Sequence, residues 1–327
     1  MDAGAVVDRR KLIRELERRV GRKGAERARR DSHARRRPRP CGLTVHPGHG
    51  CPRGCVYCYI PEMGFRFERA RPYPLSGEEM ALALLYNRRF EPGPGGTFLA
   101  VGSVTDPFLP ELKDKTLDYL RAFDRWLGNP TQFSTKSRVS GEVADAIASL
   151  SLPINGLVTV LTIDEDKARR LEPRAPTPEE RLESVRRLAR AGVTVDLFLR
   201  PILPGIVSLE EVEDLLREAR RAGARGVVVG GFRVNRSILE RLRRAGFDVS
   251  EIVKRADSIP SGGRQRYIRT GDLKERILEM AREVGLTPFA AACCACASAA
   301  EVPCPNECWR GRFCTECGNP ACPVGGR

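Results

Sequence analysis

The sequence predicts an α/β protein built on a parallel sheet that is covered by helices. Six continuous apolar runs alternate with amphipathic stretches, which is the pattern of repeated strand–helix units. Six units are two short of a complete eight-unit barrel, so we expect an incomplete barrel. The predicted strands span residues 41–45, 97–104, 131–135, 156–163, 193–199 and 225–231. The predicted helices among these units span residues 77–89, 111–127, 141–149, 178–191, 208–222 and 235–245.

Two further segments flank the repeated units. Residues 9–30 place Leu12, Ile13, Leu16 and Val20 on one stripe among arginines, which predicts a basic helix. The run RRRPRP that follows cannot be helical and is typical of an extended linker. Beyond the units, one more helix is predicted over residues 272–284, followed by a cysteine-rich tail without periodicity. The predicted organisation is therefore an arm with linker at 1–40, a barrel at 41–250, and a helix with tail at 251–327.

The charge of the chain is concentrated at its start. The whole sequence has 56 Lys and Arg against 42 Asp and Glu, a net charge of +14. Residues 1–40 contain 15 basic and 6 acidic side chains, which is +9 of that total. With the basic segment RQRYIR at 264–269, this arm predicts phosphate contacts and a nucleic-acid partner. A solvated arginine face, as in thermophilic proteins, is the alternative.

Two classes of location are excluded by hydrophobic patterning. No run of 18 or more apolar residues is present, so no transmembrane helix and no membrane partner is predicted. The first residues lack the apolar core of a secretion signal, so a cytoplasmic location is expected.

The 12 cysteines form two groups at opposite ends of the chain. In a reducing compartment, closely spaced thiols are metal or iron–sulfur ligands more often than disulfides. The first group is Cys41, Cys51, Cys55 and Cys58, and the second is Cys293, Cys294, Cys296, Cys304, Cys308, Cys314, Cys317 and Cys322.

The segment CPRGCVYC places Cys51, Cys55 and Cys58 in a C-x3-C-x2-C spacing after the first strand. Three thiolates on one loop bind three irons of a [4Fe–4S] cluster and leave the fourth iron open to a chelating ligand. A zinc site is the alternative, with Cys41, His46 or His49 as the fourth ligand.

CPRGCVYC, including its aromatic Tyr57, resembles the signature of the radical S-adenosylmethionine (SAM) superfamily. The segments GSVTDPFLPELK, FSTKS, RPILPG and residues 162–192 resemble its spore-photoproduct-lyase-like group. The resemblance implies a partial (β/α)6 radical SAM barrel, here with a basic N-terminal helical arm and a small cysteine-rich C-terminal segment. It places Cys51, Cys55 and Cys58 at the mouth of the barrel as the catalytic cluster ligands.

The resemblance also implies the chemistry and its cofactors. SAM chelates the open iron, and one electron from a reductant such as ferredoxin or flavodoxin cleaves its C–S bond. The resulting 5′-deoxyadenosyl radical abstracts hydrogen from the substrate. The cofactors carry this chemistry, while the protein orients and shields them.

By the family pattern, five residues are expected to bind SAM. Tyr57 lies on its adenine side, and Ser103 and Thr105 face its methionine part. Lys136 pairs with the SAM carboxylate, and Thr159 lies near the ribose. Ser103, Thr105 and Thr159 are alternatively ordinary strand residues.

Two acidic residues are further candidates for SAM contact, each with a structural alternative. Asp106, which precedes a proline, is equally consistent with capping the helix that follows. Glu172 is more consistent with a surface ion pair to Arg170 or Arg174.

One departure from the family concerns the second strand. Spore photoproduct lyase has a hydrogen-donating cysteine just before the strand-two serine, where this sequence has Ala100, Val101 and Gly102. Repair of the spore photoproduct by that mechanism is therefore not expected.

The eight cysteines of the tail provide ligands for two four-coordinate sites. Auxiliary [4Fe–4S] clusters and a zinc-stapled knuckle both fit their spacing. Because no apolar sequence surrounds them, we expect no packed core around these thiols.

These observations predict a radical SAM enzyme, of lyase or transferase type, that acts on nucleic acid, either by modifying an RNA base or by repairing a DNA lesion. The first alternative is a radical SAM enzyme acting on a peptide or small metabolite, with auxiliary clusters in the tail. The second is a non-enzymatic nucleic-acid-binding module with zinc at both cysteine groups.

Overall fold

The computed structural model describes residues 8–39, 42–65 and 67–304. The predicted ligands Cys308, Cys314, Cys317 and Cys322, and the candidate Cys41, lie outside these residues. Its strands are β1 (Leu43–Val45), β2 (Gly48–His49), β3 (Arg71–Pro72), β4 (Leu99–Val101), β5 (Thr131–Thr135), β6 (Ile154–Val158), β7 (Thr194–Leu199), β8 (Gly226–Val229), β9 (Arg233–Val234), β10 (Arg266–Tyr267) and β11 (Thr287–Phe289). Its helices are α1 (Arg9–Arg30), α2 (Gly77–Tyr86), α3 (Lys113–Trp126), α4 (Gly141–Ala148), α5 (Glu165–Leu171), α6 (Pro178–Arg190), α7 (Leu209–Arg221), α8 (Arg236–Arg244), α9 (Ser250–Lys254), α10 (Gly271–Glu283) and α11 (Ala292–Ala299).

The main sheet confirms the predicted α/β class. It has seven parallel strands in the order β1-β4-β5-β6-β7-β8-β11. Its first six strands are the six predicted runs, in sequence order, and helices lie between them. Within the described residues the sheet is open between β1 and β11, as an incomplete barrel requires. Among described helices, none is both long and apolar enough to cross a membrane.

The seventh strand, β11, was not predicted. It pairs with β8, with Thr287 opposite Gly226 and Phe289 opposite Val228. Its three residues include a proline, so the sequence carries only a weak signal for a strand here. The pairing with β8 identifies it. The 251–327 region therefore contributes directly to the main sheet.

The two faces of the sheet bury different side chains. In β8, Val227 and Val229 belong to the main core beneath the surrounding helices, whereas Val228 points the other way. Leu157 of β6 and Phe198 of β7 lie on the same side as Val228, which we call the inner face. The inner face is the concave side of the incomplete barrel.

Helix α11 packs on this inner face, among Phe98, Leu157, Val228 and Phe289. No helical periodicity is visible in this segment, because a helix buried on most sides needs no polar face. The expectation that no core surrounds the tail thiols is wrong for its described members, all of which are buried: Cys293, Cys294, Cys296 and Cys304.

The predicted basic helix forms as α1 and packs along α2. Leu16 is fully buried, and the Arg9 guanidinium donates to the backbone carbonyls of Leu85 and Phe90. Arg19 forms an ion pair with Glu78 of α2 at 2.6 Å. Part of the basic charge of the arm is thus used in contacts with the barrel.

Candidate active site

The predicted site residues meet at the carboxyl ends of the parallel strands. The cysteine loop follows β1 and β2, and Asp106, Lys136 and Thr159 follow β4, β5 and β6. Since the carboxyl ends of parallel strands lie at one edge of a sheet, side chains from distant segments converge there.

The three cysteines of the loop lie beneath the surface. Cys55 is buried, and Cys51 and Cys58 are half-buried. Burial raises the pKa of all three thiols, that of Cys55 to about 12. A thiol of this kind binds metal only by releasing its proton, so a cation must compensate the buried thiolates. The donor set is therefore suited to a metal cluster.

The sulfur atoms of this loop do not all converge on one point. Among the described residues, the one group of three candidate ligand atoms within 4.8 Å of one another lies elsewhere in the fold, in the tail. In a [4Fe–4S] cluster each thiolate binds a different iron, so a wider spread of Cys51, Cys55 and Cys58 fits a cluster better than a single ion.

The positions of the two nearby histidines disfavour the zinc alternative at this loop. The His46 and His49 rings lie 6.3 Å apart. Within the described part of the chain, neither histidine joins the cysteines in a group of three converging ligand atoms. Cys41, the other candidate for a fourth ligand, is outside that part.

Two arginines, one in the loop and one in α8, hold the cysteine loop in place. The Arg53 guanidinium donates to Ser137 Oγ at 2.5 Å and to the carbonyl of Arg174 at 3.0 Å. Arg241 of α8 donates to the carbonyl of Val56 at 3.0 Å and also to that of Cys58. These arginines were not predicted, because nothing in the sequence distinguishes them from surface arginines.

Glu172 lies at the centre of a buried polar network beside the loop. Its side chain is 2% exposed and forms an ion pair with Arg181, which is equally buried. The Tyr57 hydroxyl donates to Glu172 Oε1, and Lys136 Nζ lies 3.8 Å from the same oxygen. Lys136 Nζ also lies 5.7 Å from the centre of the Tyr57 ring.

This network corrects one expectation from the sequence. Glu172 does not pair with Arg170 or Arg174 on the surface. Its partner is Arg181, nine residues further along, because the turn after α5 brings the carboxylate back under α6. Arg181 itself was missed, since it is one of several arginines in an amphipathic helix.

All three charged groups of the network stay ionised at neutral pH. Burial alone would raise the pKa of Glu172, but Arg181 and Lys136 hold it below its ordinary value. Burial alone would lower the pKa of Lys136, but Cys55 and Glu172 together raise that pKa above its ordinary value. Near the thiols the three cations Lys136, Arg181 and Arg53 outnumber the two carboxylates Glu172 and Asp106, which favours an anionic group.

Asp106 connects two strand ends and does not cap a helix. It accepts hydrogen bonds from Thr135 Oγ1 at 2.6 Å and from the backbone N–H of Lys136 at 3.0 Å. It also accepts the N–H of Phe108, while α3 begins only at Lys113. The helix-capping alternative is therefore wrong, and Asp106 fixes the backbone from which Lys136 extends.

The three predicted hydroxyl residues have different surroundings. Thr105 Oγ1 donates to the carbonyl of Gly50 at 2.5 Å and so anchors the start of the cysteine loop. Thr159 is buried, and its backbone carbonyl accepts a hydrogen bond from Arg181 at 3.1 Å. Ser103 is exposed at the same edge.

The rim of the site exposes aromatic and sulfur-containing side chains. Tyr59 and Met63, just after the cysteine loop, are 36% and 51% exposed, and Tyr267 of β10 is 53% exposed. Tyr267 belongs to the predicted basic segment. Part of this segment forms β10, which pairs with β9. Gly263 lies close to the turn after Cys58. A Cβ added to Gly263 would be 2.9 Å from the carbonyl oxygen of Glu62 in that turn. The residue that precedes the basic segment therefore lies against the turn that follows the cysteine loop.

The tail thiols form a separate group. The Sγ atoms of Cys293, Cys294 and Cys304 lie within 4.8 Å of one another, and all three residues are buried. Cys296 is also buried but is not part of this group. The structure thus brings together three of the four described tail cysteines.

Comparison with known proteins supports the fold and the family. Residues 45–219 match the model of the radical SAM superfamily. Spore photoproduct lyase in complex with dinucleoside spore photoproduct has a TM-score of 0.60 at 18% identity, over 78% of this chain and 76% of that one. A variant of that lyase with bound AdoMet and the same dinucleoside has a TM-score of 0.61 at 17% identity, over 87% and 95%.

Curated sequences also match parts of the chain. An uncharacterized protein of Acidianus two-tailed virus is 26% identical over 53% of this chain and 60% of its own length. The radical SAM Nalpha-GlyT isomerase of Pseudomonas phage M6 is 26% identical over 64% of this chain and 44% of its own. The chain thus spans about half the length of these relatives. An uncharacterized Mycobacterium tuberculosis protein is 24% identical over 75% of this chain and 72% of its own.

Proposed function

Because this chain belongs to the radical SAM superfamily, we propose that Cys51, Cys55 and Cys58 hold a [4Fe–4S] cluster to which SAM binds. The observation that carries the proposal is a loop of three thiols, one buried and two half-buried, whose sulfur atoms do not all lie within 4.8 Å of one another, beside a surplus of positive charge. When bound, cluster and SAM supply a 5′-deoxyadenosyl radical once a reductant such as ferredoxin or flavodoxin delivers one electron.

The protein contributes binding, orientation and exclusion of water. The Lys136 ammonium is held by Glu172 and by the backbone contacts of Asp106, and it would donate to the SAM carboxylate. The Tyr57 backbone and ring would border the adenine side. Ser103 and Thr105, at the end of β4, would border the methionine part of SAM.

The ribose side of the site is bordered by Thr159 at the end of β6. Its carbonyl is fixed by Arg181, and its N–H donates to the carbonyl of Thr135 at 2.9 Å. These contacts hold the strand end rigid before any ligand binds, which lowers the entropic cost of positioning SAM.

We also propose that the substrate is a nucleic acid whose target base is turned out of its stack into the mouth of the barrel. Tyr59 and Tyr267 are exposed beside the cysteine loop, and exposed aromatic rings at such a position bind unstacked bases. Within the described residues, Arg264 and Arg266 have no carboxylate partner, so their charges are available to phosphates. The dinucleoside bound in the spore photoproduct lyase structures is consistent with this substrate class.

The reaction at the base differs from that of spore photoproduct lyase. Ala100, Val101 and Gly102 offer no thiol at the end of β4 to return hydrogen to a product radical. We therefore propose modification of an RNA base, or repair of another DNA lesion, as the reaction class.

The cluster assignment is tested by anaerobic reconstitution of the full chain and of Cys55→Ala. We expect about four irons and four sulfides per wild-type chain, and formation of 5′-deoxyadenosine with SAM and dithionite. Cys55→Ala should lose the iron and the product. Cys296→Ala, a buried cysteine far from the loop, is the matched control and should keep both. Retained SAM cleavage in Cys55→Ala would refute the assignment.

The substrate class is tested by binding of single-stranded RNA and DNA oligonucleotides across a range of salt concentrations. Tyr267→Ala should weaken binding by about 5- to 100-fold, the range expected from losing one stacked base. Arg266→Ala should reduce the salt dependence by about one phosphate contact. Arg276→Ala changes net charge equally on exposed α10 and should have little effect. Equal affinity in all variants would favour a peptide or small-metabolite substrate.

A further inference from the structure

Helix α11, which carries two of the three grouped thiols, is anchored on the amino-end side of the sheet. Arg225 directly precedes β8 and donates to the carbonyl of Ala295 in α11 at 3.2 Å. It also lies 2.8 Å from Asp196 of β7 and 3.3 Å from Ser298 Oγ. Helix α11 is thereby fixed at the amino ends of the strands, where it closes the base of the barrel.

The three thiols converge as the ligands of one ion do. A tetrahedral zinc ion with Zn–S bonds of about 2.3 Å brings its sulfurs to about 3.8 Å from one another. The Sγ atoms of Cys293, Cys294 and Cys304 lie within 4.8 Å, which one ion can span. A [4Fe–4S] cluster would separate them onto different irons, as the wider spread of the first cysteine group permits.

We propose that Cys293, Cys294 and Cys304 bind a single zinc ion that locks α11 into the base of the barrel. Two of the ligands come from the first turn of α11 and the third from the segment that follows the helix. The ion therefore links the start of α11 to the segment that follows the helix. Binding releases the thiol protons, and the fourth position is taken by water or by a further donor.

The surroundings of the group fit a structural site. Phe98, Leu157, Val228 and Phe289 enclose the inner face around the thiols. Such a shell limits exchange with solvent. Because zinc has no redox chemistry, the site cannot relay electrons. This inference is independent of the proposed activity and excludes an auxiliary cluster at these three cysteines.

The test is zinc and iron content of the full-length chain, purified and reconstituted anaerobically. Cys294→Ala and Cys304→Ser should each contain one zinc fewer per chain than the wild type and the same amount of iron. Cys296→Ala is the matched control, since it lies on the same helix with similar burial but outside the group. It should keep its zinc.

Several results would overturn the zinc site. Unchanged zinc in both ligand variants would show that the thiols merely pack together. Loss of iron in place of zinc would indicate an iron–sulfur cluster, and equal zinc loss in Cys296→Ala would indicate general disruption of α11. If Cys294→Ala does not fold, Cys304→Ser leaves the helix sequence intact. Zinc-edge X-ray absorption of the wild type should show sulfur neighbours at about 2.3 Å from the zinc. Zinc surrounded only by oxygen or nitrogen would overturn the proposed site.

Failure of the proposed activity has a different signature. A chain that binds zinc as expected but forms no 5′-deoxyadenosine would leave the tail site intact and refute only the cluster assignment. If the chain cleaves SAM but the Cys294→Ala and Cys304→Ser variants lose no zinc, the cluster assignment stands and only the zinc site is refuted.

Discussion

Glu172 and Arg181 form an ion pair in which each side chain is 2% exposed. The pair lies directly beneath the cysteine loop and is completed by the Tyr57 hydroxyl and Lys136. Because both charges are out of water, neither tolerates the loss of the other. The same pair therefore supports the fold and orients the residues proposed to bind SAM.

Replacing Arg181 should destabilise the protein strongly. Arg181→Met leaves the Glu172 carboxylate buried without its main partner, which we expect to lower the free energy of unfolding by about 3–5 kcal/mol. Chemical denaturation measures the change. Arg217→Met, which removes the exposed pair with Glu213, should cost less than about 1 kcal/mol. Similar losses in both variants would mean that burial of the pair is unimportant.

Replacing Lys136 should weaken SAM binding without removing iron. Lys136→Met removes one charge-assisted hydrogen bond, so we expect a loss of SAM affinity of about 10- to 100-fold. Glu172 keeps its Arg181 partner, so the fold should persist. Equilibrium binding to the reconstituted chain measures the effect, with Lys115→Met as a control of similar exposure on α3. Unchanged affinity would limit Lys136 to a structural role.

Gly102 is required where β4 ends. Its φ of +94° is in the left-handed region, and an added Cβ would lie 2.6 Å from the ring of Pro107. We expect Gly102→Ala to cost more than about 2 kcal/mol of unfolding free energy. Gly192→Ala has a similar φ of +87° with open space around the added methyl, so it should cost only about 1–2 kcal/mol. Equal costs would show that the contact with Pro107 relaxes.

Acid should destabilise the protein partly through His46. Burial, reinforced by the neighbouring His33, lowers the pKa of His46 to about 3. Below its ordinary pKa of about 6.5 the unfolded chain binds a proton that the folded chain does not, so stability falls as pH falls, by about 2 kcal/mol between pH 7 and pH 5. The denaturation midpoint of His46→Leu should vary less over this range. An unchanged pH dependence would contradict the assignment.

The main features of the fold could be predicted because apolar runs of buried parallel strands stand out in the sequence. All six runs became strands, although the run at 156–163 leaves the sheet after Val158. The radical SAM family was also recognisable, because three cysteines and their spacing are a local signal, and the match over residues 45–219 confirms it. Helix α11 and strand β11 were missed because their identity depends on what they pack against.

The charged part of the site was predicted less well for a related reason. Lys136 is conspicuous as a lysine at the end of an apolar strand. Arg53, Arg181 and Arg241 look like surface residues in the sequence, and only the fold shows which of them are turned inward. Glu172 was assigned a surface partner because a single charged residue carries no information about distant partners.

The pairing of β11 with β8 also sets an order of events during synthesis. The cysteine loop leaves the ribosome early, but the last strand and the helix that closes the base come from residues after Thr287. Until these residues emerge, β8 presents an unpaired edge and the inner face is open to solvent and to other chains. A chain interrupted before Thr287 would thus be prone to edge-to-edge aggregation despite carrying every residue of the proposed SAM site.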